Sequence, residues 1–169
     1  VDVSGYYDAW ASSYDTDRNP MIAMVERALT ERVCRPWRVV ELGCGTGRNL
    51  ATLQAGGALR LMGVDGSAGM LDVARKRVRG ARLVQGDVRT RTHLLDGCAD
   101  LVLITLVLEH LEDPTPVFAE AARLLSVGGQ LLVMELHPTA FDAGSRAKLR
   151  LADGTVVTAA HRHDATELA

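Results

Sequence analysis

At 169 residues, and about 150 residues per domain, the chain is expected to form one compact unit. Hydrophobic types make up 47% and charged types 24%, the balance of a folded globular protein and not of a disordered one. Lys and Arg number 19 against 21 Asp and Glu, a formal charge of -2, so no global field draws nucleic acid or an anionic membrane.

Four of the seven aromatic residues, Tyr6, Tyr7, Trp10 and Tyr14, fall within the first 14 positions. Tyr7, Trp10 and Tyr14 are spaced i, i+3 and i+7, one face of a helix, and the rest of the core must be aliphatic. Residues 38–42 read as a strand that runs into a glycine turn, and residues 49–55 as a helix ending at Gly56-Gly57. A second strand over 59–64 is closed by Asp65-Gly66. Ser67 then caps a helix with an apolar face of Met70, Leu71, Val73, Ala74 and Val78. Residues 81–85 form a third strand, stopped by Gly86-Asp87. Residues 99–106 are an almost unbroken aliphatic run, the signature of a strand buried on both faces. The apolar stretch 101–108 is far shorter than the roughly 20 residues of a membrane span. Pro114 and Pro116 open a helix whose buried face is Val117, Ala121, Leu124 and Leu125, with Gly128-Gly129 ending it. A fifth strand follows over 130–136. Beyond Pro138 the pattern predicts a helix over 141–151, a turn at Asp153-Gly154, a short strand over 155–159 and the start of a helix at the end of the chain. Strand and helix alternating in this way predict an α/β fold, a doubly wound, mainly parallel sheet with helices on both faces.

The N-terminus has neither the basic start nor the apolar stretch of a secretion signal. Cys34, Cys44 and Cys98 lack CxxC spacing, so neither a disulfide framework nor a zinc site is expected. These features predict a cytoplasmic protein without a metal. The run Arg75-Lys76-Arg77-Val78-Arg79 reads as a solvated helix face and not as a nucleic-acid patch, given the balanced charge.

In a doubly wound sheet, ligands bind beyond the carboxyl ends of the strands, where the strand order reverses, and the informative residues all lie at such ends. Gly43, Gly45 and Gly47 alternate through the turn after the first strand, which permits tight geometry and offers backbone donors at a helix N-terminus. A P-loop requires Lys-Ser/Thr after its last glycine, and here Arg48-Asn49 follow. A GxGxxG dinucleotide fingerprint is also missed, because the third glycine arrives one position early. Asp65 lies at the offset from Gly43 expected of an acid that binds a ribose diol. Asp87 ends the third strand, where a carboxylate can accept from an adenine amino group while Val88 offers its amide. Together these elements describe a pocket for an adenosine without phosphates.

The segment Val39-Val40-Glu41-Leu42-Gly43-Cys44-Gly45-Thr46-Gly47 resembles the first motif of the class I S-adenosylmethionine (SAM)-dependent methyltransferases. Gly63-Val64-Asp65-Gly66-Ser67 is similar to that family's ribose motif, and Gln85-Gly86-Asp87-Val88 to its adenine motif. Leu106-Val107-Leu108-Glu109-His110-Leu111 and Leu124-Leu125-Ser126-Val127-Gly128-Gly129-Gln130-Leu131 resemble two later motifs, with Val127 where the family more often has proline. The opening Tyr7-Asp8-Ala9-Trp10-Ala11-Ser12-Ser13-Tyr14-Asp15 is similar to the N-terminal helix of small-molecule members. The resemblance spans about residues 6–137 and implies a Rossmann-like fold with SAM as cofactor and S-adenosylhomocysteine as product. By resemblance, residues 1–30 form a helical cap, 37–136 the cofactor-binding core and 137–169 a substrate-side segment. Tyr14, Glu41, Gly43, Cys44, Gly45, Asp65, Gly66, Met70, Asp87, Val88 and Leu106 are then expected to bind the cofactor, with Glu41 meeting the methionine ammonium group, Asp65 the ribose, Asp87 and Val88 the adenine, and the helix of Tyr14 closing over it.

Transfer of a methyl group to a small-molecule O, N or C nucleophile asks the protein for alignment, exclusion of water and, for a protic nucleophile, a base. The candidate bases are His110, after the fourth strand, and His137, after the fifth. Many members of the fold add an antiparallel strand pair after the fifth strand, and residues 138–169 are too few for a helix, a lid and both strands. The fifth strand is then an aliphatic edge that a second copy of the chain covers. The alternative is a truncated or non-catalytic SAM-binding module. A nicotinamide-dependent oxidoreductase is disfavoured by the glycine spacing.

Overall fold

The computed structural model describes residues 3–16, 20–32, 38–145, 149–150, 156–157 and 160–164. Its centre is a five-stranded sheet in the order β3-β2-β1-β4-β5, formed by β1 (Arg38–Leu42), β2 (Arg60–Asp65), β3 (Arg82–Gln85), β4 (Ala99–Thr105) and β5 (Leu125–Met134). Every pairing within it is parallel, with Val40 opposite Met62 on one side and Val102 on the other. The chain winds outward from β1 to β3, then returns to place β4 on the opposite side of β1. That reversal opens a crevice above the carboxyl ends of β1 and β4.

Strand side chains alternate between faces, and the core divides accordingly. Val40, Leu42, Val102 and Ile104 pack with Val117, Ala121 and Leu124 of α5 (Thr115–Leu124). Val39, Leu101 and Leu103 face the other way. They pack with Val25 and Leu29 of α2 (Pro20–Arg32), Leu50 and Leu53 of α3 (Arg48–Ala55), and Leu71 of α4 (Ala68–Arg77). Ser67 caps α4, its hydroxyl accepting from the Met70 amide at 3.0 Å, as its sequence position predicts. The amphipathic run from Val3 to Trp10 forms α1, which lies against the start of α4 at Gly66 and Gly69. A Cβ on Gly69 would come within 3.0 Å of the Asp8 carbonyl and 3.1 Å of its Cα, so glycine there lets the α1 backbone approach closely, while one on Gly66 would displace only the Ser4 hydroxyl.

Three expectations are corrected. The fifth helix ends at Leu124, where Leu125 turns extended (φ -69°, ψ 133°), and not at Gly128-Gly129. Those glycines instead lie inside β5, at a register shift where Ala99 pairs with Leu125 but Leu101 with Gln130. Gly128, at φ +80°, supplies the left-handed step of the detour, and Val127 projects from it fully exposed. A helix over 141–151 is not formed: α6 is short (Pro138–Asp142), and Leu149–Arg150 is instead a strand, β6, antiparallel to β7 (Val156–Val157). Tyr14 does not share the helix of Tyr7 and Trp10, because α1 stops at Trp10 and Tyr14–Thr16 is a separate 3-10 turn.

Among the described residues, the five-stranded sheet carries no antiparallel strand beside β5, and β6-β7 is a separate pair. The expected helix start at 165–169 and the Cys34 position lie outside the described residues. No helix among the described residues is long and apolar enough to cross a membrane.

Candidate functional site

A cavity of about 580 Å³ opens above the crevice between β1 and β4, and its floor is the turn after β1. Gly43, Gly45 and Gly47 all adopt positive φ (76°, 49° and 73°), which explains glycine at alternate positions. Gly43 has a second reason, since a Cβ there would meet Val107 Cγ2 at 2.3 Å. At Gly45 the same construction meets nothing within 4 Å: the missing side chain faces open space.

Two carboxylates flank this turn, Glu41 buried and Asp65 half-buried. Asp65, at the end of β2, accepts from the Gly45 amide through Oδ2 (2.7 Å) and from the Ser67 amide through Oδ1 (2.9 Å). Burial raises its pKa, and the two amide hydrogen bonds offset part of that rise. Glu41, inside β1, accepts from Asn49 Nδ2 at 2.7 Å through Oε1, while Oε2 is buried without a hydrogen-bond partner among the described residues. Burial pushes the Glu41 pKa up to about 8. A buried carboxyl oxygen left unmatched beside a cavity is unfavourable for the empty protein and is relieved by a cationic or donor group.

All the residues expected at the cofactor line this cavity: Tyr14, Glu41, Gly43, Cys44, Gly45, Asp65, Gly66, Met70, Asp87, Val88 and Leu106. Cys44 is a free, buried thiol whose pKa is raised by that burial. Asp87 is engaged by Arg89, whose guanidinium takes both carboxylate oxygens (2.6–3.0 Å) and holds the carboxyl below its usual range.

His110 lies in the cavity wall, where its Nε2 shares a 2.8 Å hydrogen bond with the Tyr7 hydroxyl. The rings stand edge to face at 5.5 Å. Burial drives the Tyr7 pKa well above the ordinary phenol value, so the hydroxyl keeps its proton. Trp10 stacks on Tyr7 at 6.0 Å and meets Tyr14 at 4.7 Å, but only the two tyrosines reach the cavity lining. His137 is placed elsewhere. It caps α6, with Nδ1 2.8 Å from Thr139 Oγ1, and lines a second cavity of about 530 Å³ along β5 with His161 and His163.

Several functional groups had no usable sequence signal. Asp15 joins Arg48 (2.6 Å), Arg77 and Thr46 (3.1 Å), tying the N-terminal segment to the glycine turn. Burial opposes its charge, but the two guanidinium groups outweigh that and hold its pKa low. Arg77, read above as part of a solvated face, is therefore an anchor. At the other end, Asp8 accepts from Ser67 Oγ (2.6 Å) and the Gly69 amide (2.8 Å). Glu135, after β5, accepts from the Val107 and Leu108 amides. Among the described residues no group of three or more His, Cys, Asp or Glu side chains is placed to hold a metal ion.

A parallel sheet reversing at β1, with a glycine turn and an acid at the end of β2, defines the doubly wound class whose ligands lie across the strand ends. A family model described as a methyltransferase domain matches residues 40–133. The chain belongs to this methyltransferase-domain family. It is similar to an uncharacterized methyltransferase of Emericella nidulans, 33% identical over 174 residues, covering 78% of this chain and 59% of that protein. It is also similar to a demethylmenaquinone methyltransferase of Clavibacter sepedonicus, 32% identical over 142 residues and covering 79% and 57% of the two chains. The chain thus spans somewhat under two thirds of these curated relatives. Among solved structures, DhpI in complex with SAH superposes with a TM-score of 0.74 at 25% identity, covering 97% of this chain and 80% of that one. A SAM-dependent methyltransferase from Mesorhizobium loti does so with a TM-score of 0.62 at 27% identity, covering 84% and 65%.

Proposed function

We propose that this chain binds S-adenosylmethionine in the first cavity and transfers its methyl group to a small-molecule nucleophile. The observation that carries this reading is the pair of carboxylates about the glycine turn, Glu41 buried and Asp65 half-buried. Glu41 has an oxygen without a partner on one side, Asp65 is aimed by two amides on the other, and open space lies over Gly45 between them. That spacing suits an amino acid joined to a nucleoside. Glu41 would hold the ammonium group, Asp65 the ribose hydroxyls, and Val88 with Asp87 the base. When bound, the cofactor supplies a methyl group already activated by positive sulfur, so the protein has no metal to provide for that step.

The remaining work falls to the chain's own residues. Tyr7 and Tyr14 present aromatic surface, which suits a cation, and with Ile22 and Val25 of α2 they form part of the cavity wall. With Nε2 as acceptor, Tyr7 donates to His110 and the ring proton resides on Nδ1. The Tyr7 oxygen can then take a proton from a protic nucleophile while its own passes to Nε2. The small-molecule reading draws on relatives named for such substrates, including demethylmenaquinone and trans-aconitate methyltransferases.

The test is isothermal calorimetry with S-adenosylhomocysteine. Saturable one-to-one binding is expected. Asp65→Ala is expected to weaken it by roughly 1–3 kcal/mol, the cost of removing a half-buried charged acceptor. Absence of saturable binding to the unaltered chain refutes the proposal, and unchanged affinity in Asp65→Ala removes that residue from the site.

A further inference from the structure

Leu106 is the one non-glycine residue among those described with positive φ, at 54°, a conformation that a side chain bearing a Cβ disfavours. Such residues persist only where their surroundings over-determine them. Here three successive amides do so: Leu106 N–H donates to the Met134 carbonyl (2.9 Å), and Val107 and Leu108 N–H both donate to Glu135 Oε1 (2.7 and 2.9 Å). The end of β5 thus grips the turn that leaves β4.

That turn is part of the first cavity. Leu106 and Val107 line it, Val107 Cγ2 fills the space that a Cβ on Gly43 would need, and the His110 amide donates to the Val107 carbonyl (3.0 Å). A shift of Val107 therefore reaches both the glycine turn and His110. Burial disfavours a carboxylate at position 135 and leaves its Oε2 without a hydrogen-bond partner among the described residues; the two amides on Oε1 offset part of that cost.

We infer that Glu135 is a positioning residue for the first cavity, holding the turn over residues 106–108, with its left-handed Leu106, in the shape that receives the cofactor. The inference rests on the reading of that cavity as the SAM site, and it makes Glu135 act through the turn without touching the ligand.

The experiment is a double-mutant cycle on the full chain, read by calorimetric titration with S-adenosylhomocysteine and by thermal melts. E135A is expected to weaken binding about tenfold or more, the consequence of two lost hydrogen bonds to a carboxyl oxygen. E135Q, whose amide oxygen can accept from the same two N–H groups, is expected to stay within about threefold of the parent. With L106G in the background, where the left-handed conformation is freely adopted, the effect of E135A is expected to shrink to about threefold or less. Equal losses in both backgrounds overturn the inference, as does unchanged affinity in E135A with only a lower melting temperature. No binding by the unaltered chain overturns the SAM reading and the inference with it; binding that is indifferent to E135A removes the inference alone. If E135A does not fold, hydrogen exchange of the unaltered protein decides. The Val107 and Leu108 amides are expected to exchange at least about 100-fold more slowly than in an unfolded chain, and exchange at the unfolded rate overturns the inference.

Discussion

Glutamine at position 41 would keep the shape of Glu41 and the hydrogen bond from Asn49 while removing the proton equilibrium. In the ligand-free protein burial raises the Glu41 pKa from the ordinary 4.5 to about 8. Between those two values the folded chain holds a proton that the unfolded chain has released. Stability is therefore greatest below the unfolded pKa and is lost as pH rises toward the folded one, at ~1.4 kcal/mol per pH unit. At pH 7 the accumulated loss is on the order of 3 kcal/mol. Glutamine carries no such penalty. Urea unfolding of both proteins at pH 5, 6, 7 and 8 is expected to show E41Q gaining on the parent with that slope, and the gain levelling off above pH 8. A stability difference independent of pH would refute the reasoning, because it would mean that Glu41 is already ionised in the folded protein. The same substitution is expected to weaken S-adenosylhomocysteine binding by about tenfold or more, through loss of the charged partner for an ammonium group. Binding to the parent at pH 7 is expected to release about one proton, seen as different apparent enthalpies in two buffers of unlike ionisation enthalpy.

Gly45→Val places a β-branched side chain at φ 49° and directs it into the open space over the turn; S-adenosylhomocysteine binding is expected to disappear in calorimetry, and retained binding would move the ligand away from Gly45. Asp15→Asn removes the charge that joins Arg48 and Arg77. The pairs are only partly buried, so a stability loss of about 1 kcal/mol is expected after allowance for solvent screening. Limited chymotrypsin digestion is expected to cleave the segment around Tyr14 faster than in the parent, and an unchanged cleavage rate would show that the latch does not hold it.

The elements legible in the sequence were those whose signals are local. Alternation and aliphatic runs marked β1 to β5 within a residue or two for most of their boundaries, most clearly for β1 and β4, because a strand buried on two faces must be apolar along its length. The glycine turn was legible because positive φ at positions 43, 45 and 47 excludes most other residues. Asp65 followed from its position at a strand end. The misreadings share a cause. Gly128-Gly129 signal a departure from regular geometry, but a bulge and a helix stop make the same local demand; only the pairing of β4 with β5 separates them. Likewise an i, i+3, i+7 aromatic pattern does not reveal that α1 stops at Trp10.

The amino-acid sequence by itself determined the strand–helix alternation, the glycine turn with its flanking acids and, through its motifs, the family. The tertiary structure alone decided which distant groups meet. Pairing β4 beside β1 carries Leu106 and His110 to the glycine turn, docking α1 sets Tyr7 on His110, and β5 delivers Glu135 to the Val107 and Leu108 amides while leaving His137 at another cavity. Spacing along a chain constrains neighbours within a turn or a strand; contacts between residues a hundred positions apart are selected by how the whole core packs, and they leave no short-range pattern to read.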